Sequence, residues 1–278
     1  MGEVRRRIGA TRAVRALTDL RPVARLLSLL TYSRLTTTPL RFAWRELAPG
    51  SRRAAYRLRR GGTAVTMRHR SPDLFTFDQV FHEGHLEPPP EAAAALARAA
   101  GPLTIVDLGA NIGMFGAYAL QRFAVERMTA FEPDPQNVAI LRETVGANGR
   151  GDDWRVVEAC AGVAQGTVPF SPDAFGRSRI AGAGAPGAIE VSVQDAFPYM
   201  GEADLVKIDV EGAEWELLAD PRFSRLTAVV CLEYHPDGCP TAEPRQAARA
   251  ALEGAGFRVA PGTDAGARTG MLWAWKTS

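Results

Sequence analysis

"LTIVDLGANIGMFGAYALQRF", residues 103–123, passes from a β-branched apolar run through a glycine-rich turn into a helix-patterned segment. Leu103 to Leu108 is β-branched and largely apolar on both faces apart from Thr104 and Asp107, the pattern of a strand covered on both sides. The same unit recurs downstream: "RMTAFEPD" reads as a strand and "PQNVAILRETVGANG" as a helix opened by a proline. Further strands read at "WRVVEACAG", "LVKIDVEG", "TAVVCLEYHP", "GFRVAPG" and "MLWAWK", with helices at "AEWELLAD" and "TAEPRQAARAALEGAG". That alternation predicts a mainly parallel sheet with helices on both faces, a three-layer α/β domain. In such sheets ligands sit beyond the carboxyl ends of the strands. The residues to inspect are therefore "DLGANIGMFG", "FEPD", "KIDVEG" and "EYHP".

Composition is that of a globular chain: 278 residues, 46% hydrophobic and 23% charged, enough for one large domain and an extension. Cys160, Cys231 and Cys239 are odd in number and lack metal-type spacing, which argues against a disulfide framework and for a reducing, cytoplasmic compartment. Four scattered histidines do not make a zinc site. The net charge of +2 hides an asymmetry, because residues 1–70 hold 17 Arg against Glu3, Asp19 and Glu46, giving +14 there and −12 over the remaining 208 residues.

Within this basic segment the apolar residues between Val4 and Leu30 fall near helical spacing, interrupted by Pro22, and predict two basic amphipathic helices over residues 3–31. Their basic face suits packing on the main domain or on a second copy, or peripheral contact with an anionic membrane or polyanion. "LLSLL" at 26–30 is too short to span a bilayer or to act as a secretory core. "RRGGTAVTMRH" then reads as a turn and a strand, and "PPPEAAAALARAAG" as a helix. The expected division is a basic, helical extension over residues 1–60, a lead-in strand and helices over 61–100, and the α/β domain over 101–278.

The first loop decides the ligand. A dinucleotide turn wants G-x-G-x-x-G, but from Gly109 the chain places Asn111 and Met114 where the second and third glycines belong. What stands instead is Asp107, Gly109, Ala110, Asn111 and Gly113, with Glu132 ending the next strand. A carboxylate before the turn suits a cationic amino group, and an acid in Glu132's place accepts ribose hydroxyls. Glu132 also suits the N-terminus of the helix after it, where an acid stabilises the dipole. An ammonium, a carboxylate, a ribose and no phosphate describe S-adenosylmethionine.

These stretches, "IVDLGANIGMFG", "AFEPDPQNVAILRETVGANG" and above all "VKIDVEGAEWELL", resemble the FkbM-type methyltransferases over roughly residues 75–260. The resemblance implies the three-layer Rossmann-like class I methyltransferase fold with a seven-stranded, mainly parallel sheet, S-adenosylmethionine as cofactor, and 101–278 as its binding domain. It places Asp107, Gly109, Ala110, Asn111 and Gly113 around the methionine part, and Glu132, Pro133 and Asp134 at the ribose and adenine edge. The chain departs from the family at "FHEGHLE", where His85 replaces an aromatic, and at "SVQDAF", where only Asp195 remains of a Leu-Asp-Asp.

In "LVKIDVEG" Lys207 and Asp209 share one strand face while Val206, Ile208 and Val210 take the other. Only Lys207 and Lys276 are lysines among 33 cationic residues, so a lysine inside this strand is informative. A buried charge needs a partner, so Lys207 is either half of a structural ion pair or part of a site. Asp209 and Glu211 then stand where the strand meets the transferred methyl group, with Lys207 one pleat deeper and His235, beside Glu233, reaching the same rim as an alternative base. Glu214 reads as an exposed first-turn helix residue. A divalent ion bridged by Asp209 and Glu211 is compatible with hard oxygen ligands, but no third ligand is identifiable, so no metal site is expected.

The resulting expectation is a bacterial, cytoplasmic O-methyltransferase acting on a hydroxyl of a sugar, glycan precursor or secondary metabolite. The oxygen acceptor comes from the resemblance. Rival readings are a nucleic-acid methyltransferase using the basic arm, disfavoured because "DVEG" stands where an amine-methylating motif belongs, and a non-catalytic interaction protein that keeps the fold. An NAD-dependent oxidoreductase is disfavoured by the absent glycines.

Overall fold

The structure is a computed structural model that describes residues 29–50, 53–172, 179–180, 186–260 and 268–277. Apart from residues 29–31, the two basic helices expected over residues 3–31 lie outside the described residues.

In chain order, α1 (Pro39–Leu47) precedes a hairpin of β1 (Arg53–Arg57) and β2 (Ala64–Arg68), then α2 (Asp73–Asp78), a π-helical turn (Gln79–Glu83) and α3 (Pro90–Leu96). The α/β part follows as β3 (Leu103–Leu108), α4 (Met114–Arg122), β4 (Val125–Phe131), α5 (Pro135–Ala147) and β5 (Trp154–Val157). After it come β6 (Cys160–Gly162), β7 (Gly166–Ser171), β8 (Arg179–Ile180), β9 (Ile189–Asp195) and α6 (Phe197–Met200). The chain closes with β10 (Leu205–Ile208), α7 (Glu214–Ala219), a 3-10 turn (Pro221–Arg225), β11 (Val229–Tyr234), α8 (Pro244–Gly254), β12 (Arg258–Val259) and β13 (Gly270–Trp275).

Seven strands form one sheet in the order β12-β13-β11-β10-β3-β4-β5, in which β13 alone runs antiparallel to the rest. Side-chain alternation splits its core into two layers. Ile105, Leu205, Val229 and Cys231 pack with Ala92, Leu96, Phe115 and Leu141 on one face; Val106, Ile208, Val230 and Leu232 pack with Leu217, Ala248 and Leu252 on the other. This is the three-layer, seven-stranded class I methyltransferase fold. The chain leaves β3 outward through β4 and β5 and returns to pair β10 on its other side, so the strand order reverses between β3 and β10. Such a switch point opens a crevice at the strand ends.

The hairpin packs into the same core, with Phe42, Tyr56, Val65 and Met67 in one buried cluster with Ile105 and Phe115. Side chains of α5 and its C-cap hold the backbone of β2: Thr66 N–H donates to Thr144 Oγ1 at 3.0 Å, and Asn148 pairs both N–H and C=O of Ala64 at 2.8 Å. The division expected at residue 60 falls in this hairpin's turn, since Arg57 pairs Ala64. A change of charge along the sequence does not mark where packing changes.

A second sheet, in the order β6-β9-β7-β8, has no counterpart in the sequence reading. "WRVVEACAG", expected as one strand, turns at Glu158 and Ala159, where Ala159 N–H donates to Val157 O at 3.0 Å, and its second half joins β9. The apolar run continues through the turn, so periodicity gives no sign of the break. Among the described residues no helix is long and apolar enough to cross a membrane.

Candidate active site

The turn after β3 is built by backbone conformations that favour glycine: φ is +81° at Gly109, +50° at Asn111 and +87° at Gly113. A Cβ on Gly109 would lie 1.7 Å from the carbonyl oxygen of Asp209, so only glycine lets this loop cross the tip of β10. The N–H groups of Gly109 and Ala110 donate to Phe131 O at 3.0 and 2.8 Å, tying the loop to the end of β4.

Glu132 completes that tie. Its carboxylate accepts from Asn111 N–H at 2.7 Å and Asp134 N–H at 2.9 Å, with Asn137 Nδ2 at 3.4 Å. Burial nevertheless dominates and lifts its pKa to about 7, above these hydrogen bonds' lowering effect. Helix capping belongs to Asp134, whose carboxylate accepts from Gln136 N–H at 2.8 Å at the start of α5. Glu132, Pro133, Gly109 and Asn111 line a cleft with Asn137, Phe170, Asp209, Val210 and Glu211. Asp107, Ala110, Gly113 and Asp134 do not line it. Ala110 and Gly113 shape the turn, and Asp107 is fully buried beneath it.

Asp107 faces Lys207 across the β3–β10 register at 3.4 Å, and Lys207 also reaches Asp209 Oδ2 and Gly109 O, each at 3.1 Å. Burial would favour a neutral amine, but the Asp209 and Asp107 carboxylates outweigh it and hold the Lys207 pKa above its ordinary value. Burial in turn pushes the Asp107 pKa up, against the pull of Lys207. Lys207 is thus favoured as a cation, which fixes one oxygen of Asp209 and leaves the other for the rim.

That rim joins the tips of β10 and β11. His235 Nε2 lies 3.5 Å from Glu211 Oε2 and 3.9 Å from Asp209 Oδ1, while Nδ1 lies 3.2 Å from Glu214 Oε1. Glu214 is fully buried, which corrects the expected exposed position. It accepts from Gly212 N–H at 2.7 Å and His235 N–H at 2.8 Å. The next residue, Trp215, donates its indole N–H to His235 O at 3.2 Å and Asp237 O at 3.0 Å. "EGAEW" therefore clamps the loop after β10 to the loop after β11. Burial opposes charge on His235, but the Glu214 hydrogen bond and the Asp209 and Glu211 carboxylates raise its pKa to about 9. Burial also raises the Glu211 pKa, and burial with the Asp209 charge raises that of Glu233.

Of the four expected catalytic side chains, Asp209, Glu211 and His235 converge at this rim, and Lys207 lies beneath it against Asp107 and Asp209. The residues missed are Glu214, Asn137 and Phe170. Glu214 carried a signal, since it belongs to the motif that singled out its neighbours. Asn137 sits in the first turn of α5 and reaches back to Glu132, a contact that no local pattern marks; Phe170 belongs to the sheet the sequence did not reveal.

The residues fit S-adenosylmethionine. Oδ1 of Asn111, a residue of the cleft, makes no hydrogen bond, so the first loop offers an acceptor to an ammonium or a hydroxyl, while Asp107 lies beneath it paired with Lys207. Among the described residues, no basic side chain lines the cleft to receive a pyrophosphate.

Residues 107–259 match the methyltransferase FkbM domain, more than half of the chain. A curated relative, methyltransferase sdnD of Sordaria araneosa, is 27% identical over 195 residues, covering 56% of this chain and 73% of its own. Among solved structures, methyltransferase FkbM from Methylobacillus flagellatus aligns with a TM-score of 0.47 and 14% identity over 93% of this chain; the chain spans about 60% of that protein's length. TYW2 of M. jannaschii, solved with AdoMet, aligns with a TM-score of 0.41 and 12% identity over 82% of this chain and 86% of its own. The chain belongs to the FkbM methyltransferase domain family and is, by that membership, an S-adenosylmethionine-dependent methyltransferase.

Proposed function

We propose that this methyltransferase acts on oxygen, moving a methyl group to a hydroxyl of a sugar, glycan precursor or secondary metabolite. The observation that supports this is the acid-rich rim: Asp209 and Glu211 stand beside the cofactor cleft, backed by Glu233, where an acceptor's O–H must lose its proton. Gly109 and Asn111 would hold the methionine end of the cofactor, with Asp107 beneath them paired to Lys207, and Glu132 with Asn137 its ribose. Bound there, the cofactor supplies an electrophilic methyl carbon.

The chain's own groups divide the remaining work. Lys207 donates to Asp209 Oδ2 and orients the carboxylate, so Oδ1 accepts a hydrogen bond from the hydroxyl and fixes its direction. Alignment of this kind is worth up to roughly 7 to 11 kcal/mol in well-oriented systems. With its raised pKa, His235 is cationic at neutral pH and cannot receive a proton. The proton goes to a carboxylate whose pKa burial has raised, Glu211 or Glu233; that of Glu233, at about 7, is matched to an operating pH near neutrality.

The test has two stages. S-adenosylmethionine or its demethylated product should raise the melting temperature, since a ligand at 100 times its dissociation constant adds about 2.7 kcal/mol. Stabilisation by NAD with none by S-adenosylmethionine would overturn the assignment of the cleft. A screen of sugar and metabolite extracts for labelled methyl transfer then defines the acceptor, and label found on nitrogen or carbon would overturn the oxygen assignment.

A further inference from the structure

The rim does not balance its own charge. Among the described residues, six carboxylates (Asp107, Asp209, Glu211, Glu214, Glu233 and Asp237) act on one another and on two basic side chains, Lys207 and His235. Lys207 is committed to Asp107 and Asp209 Oδ2, deeper in the strand. At the surface of the cleft, Asp209 Oδ1, Glu211 Oε2 and His235 Nε2 point towards one another, their ligand atoms all within 4.8 Å.

His235 supplies the independent observation. Only about a tenth of its side chain is exposed, and its Nδ1 is taken by Glu214, itself fully buried. Its Nε2 lies at 3.5 and 3.9 Å from two carboxylate oxygens and makes no hydrogen bond. A buried ring whose orientation is fixed by a carboxylate on one nitrogen, with the other nitrogen aimed into a pair of acids, has the arrangement that prepares a histidine for a metal. Ligand atoms about 2.1 Å from a common ion and at right angles are about 3 Å apart, so shifts of less than an ångström in the half-exposed Asp209 and Glu211 would close the site.

We propose that Asp209, Glu211 and His235 bind a divalent cation of the manganese or magnesium type. Two carboxylate oxygens and one imidazole favour Mn2+ among hard ions, and three protein ligands leave positions for water and for an acceptor oxygen. This rests on the reading of the rim as the acceptor side. The cation takes the place of the proton on His235 Nε2 and lowers the pKa of the acceptor hydroxyl. Glu211 then becomes a ligand, and Glu233 remains to take the proton. Glu214 is a positioning residue that holds His235 without touching the ion.

The full chain is first treated with chelator and then titrated with Mn2+, following loss of the free-ion signal by electron paramagnetic resonance, with cofactor affinity measured calorimetrically on the same samples. The expected result is one Mn2+ per chain, displaced competitively by Mg2+, and at least tenfold weaker binding in Glu211→Gln and in His235→Gln. Glu214→Gln should weaken Mn2+ binding by about 10- to 100-fold, the usual effect of losing a ligand's supporting acid. Absence of binding in the millimolar range, or equal binding by Glu211→Gln, whose partly exposed side chain is free to change without unfolding, overturns the site. Cofactor binding without Mn2+ binding rejects the metal alone. Mn2+ binding without cofactor binding leaves the metal site standing and rejects the methyltransferase reading.

Discussion

Replacing Glu214 by Gln tests how the rim is held. The carboxylate accepts from Gly212 N–H at 2.7 Å, from His235 N–H at 2.8 Å and from the His235 ring at 3.2 Å. An amide keeps one oxygen but turns its NH2 group towards a backbone donor. One buried N–H then loses its acceptor, at about 1 to 3 kcal/mol. The imidazolium also loses its nearest counter-charge. His235 rises from 6.5 to about 9 in the folded chain, with Glu214 the largest stabilising contact, and this shift corresponds to about 3 kcal/mol of folding stability. Because the folded pKa lies above the unfolded one, the contribution is fully present below about 6.5 and is lost as pH rises through about 9. Glu214→Gln should therefore be less stable by about 3 kcal/mol at pH 6.5 in urea unfolding with chelator present, and the gap to wild type should narrow by pH 10. The His235 ring should titrate at a lower pH in the variant by NMR. A variant within about 0.5 kcal/mol of wild type, or an unmoved His235 titration, would refute the clamp.

Three further outcomes follow from the packing. Glu132→Gln should weaken S-adenosylmethionine binding at least tenfold by calorimetry, about 1.4 kcal/mol or more, because a charged acceptor at the cleft is worth more than a neutral one; unchanged affinity would make Glu132 only the clasp of the Asn111 turn. Gly109→Ala should fail to fold or lose several kcal/mol, since the added carbon meets the Asp209 carbonyl at 1.7 Å at a φ of +81°, whereas Gly146→Ala on α5 meets open space and should be neutral or stabilising by about 0.5 kcal/mol. Phe42→Ala should cost about 3 to 5 kcal/mol in denaturant unfolding, as a fully buried ring against Tyr56, His69 and Phe77, and a smaller loss would show that α1 is an appendage of the core.

The parts legible in the sequence were those governed by local pattern. Each strand of the large sheet carries its own apolar run between turn residues, and Gly109 and Gly113 carry the mark of backbone that other residues rarely adopt. Strand alternation placed Lys207 beside Asp209 and opposite Ile208, as the structure has them. The parts not legible depend on contacts distant in sequence. Glu214 looks like any first-turn helix acid until β11 brings His235 against it, 21 residues away. The second sheet is built from short half-exposed strands such as "GTVPFS", whose pattern is too weak to separate from loop. His235 as a possible third ligand beside Asp209 and Glu211 likewise appears only when two strand tips are seen together.

The most direct measurement is labelled methyl transfer to the identified acceptor by wild type, Asp209→Asn and Glu211→Gln, at saturating S-adenosylmethionine, with cofactor affinity determined in parallel. Both substitutions keep shape, and Lys207 retains Asp107 and Gly109 O as partners, so folding and cofactor affinity should change less than threefold. Turnover should fall by about 100-fold or more, the scale of a positioned acid–base group, with the wild-type label carried on an ether oxygen. Folded variants that bind the cofactor and transfer methyl at the wild-type rate would contradict the assignment of this rim as the reacting side.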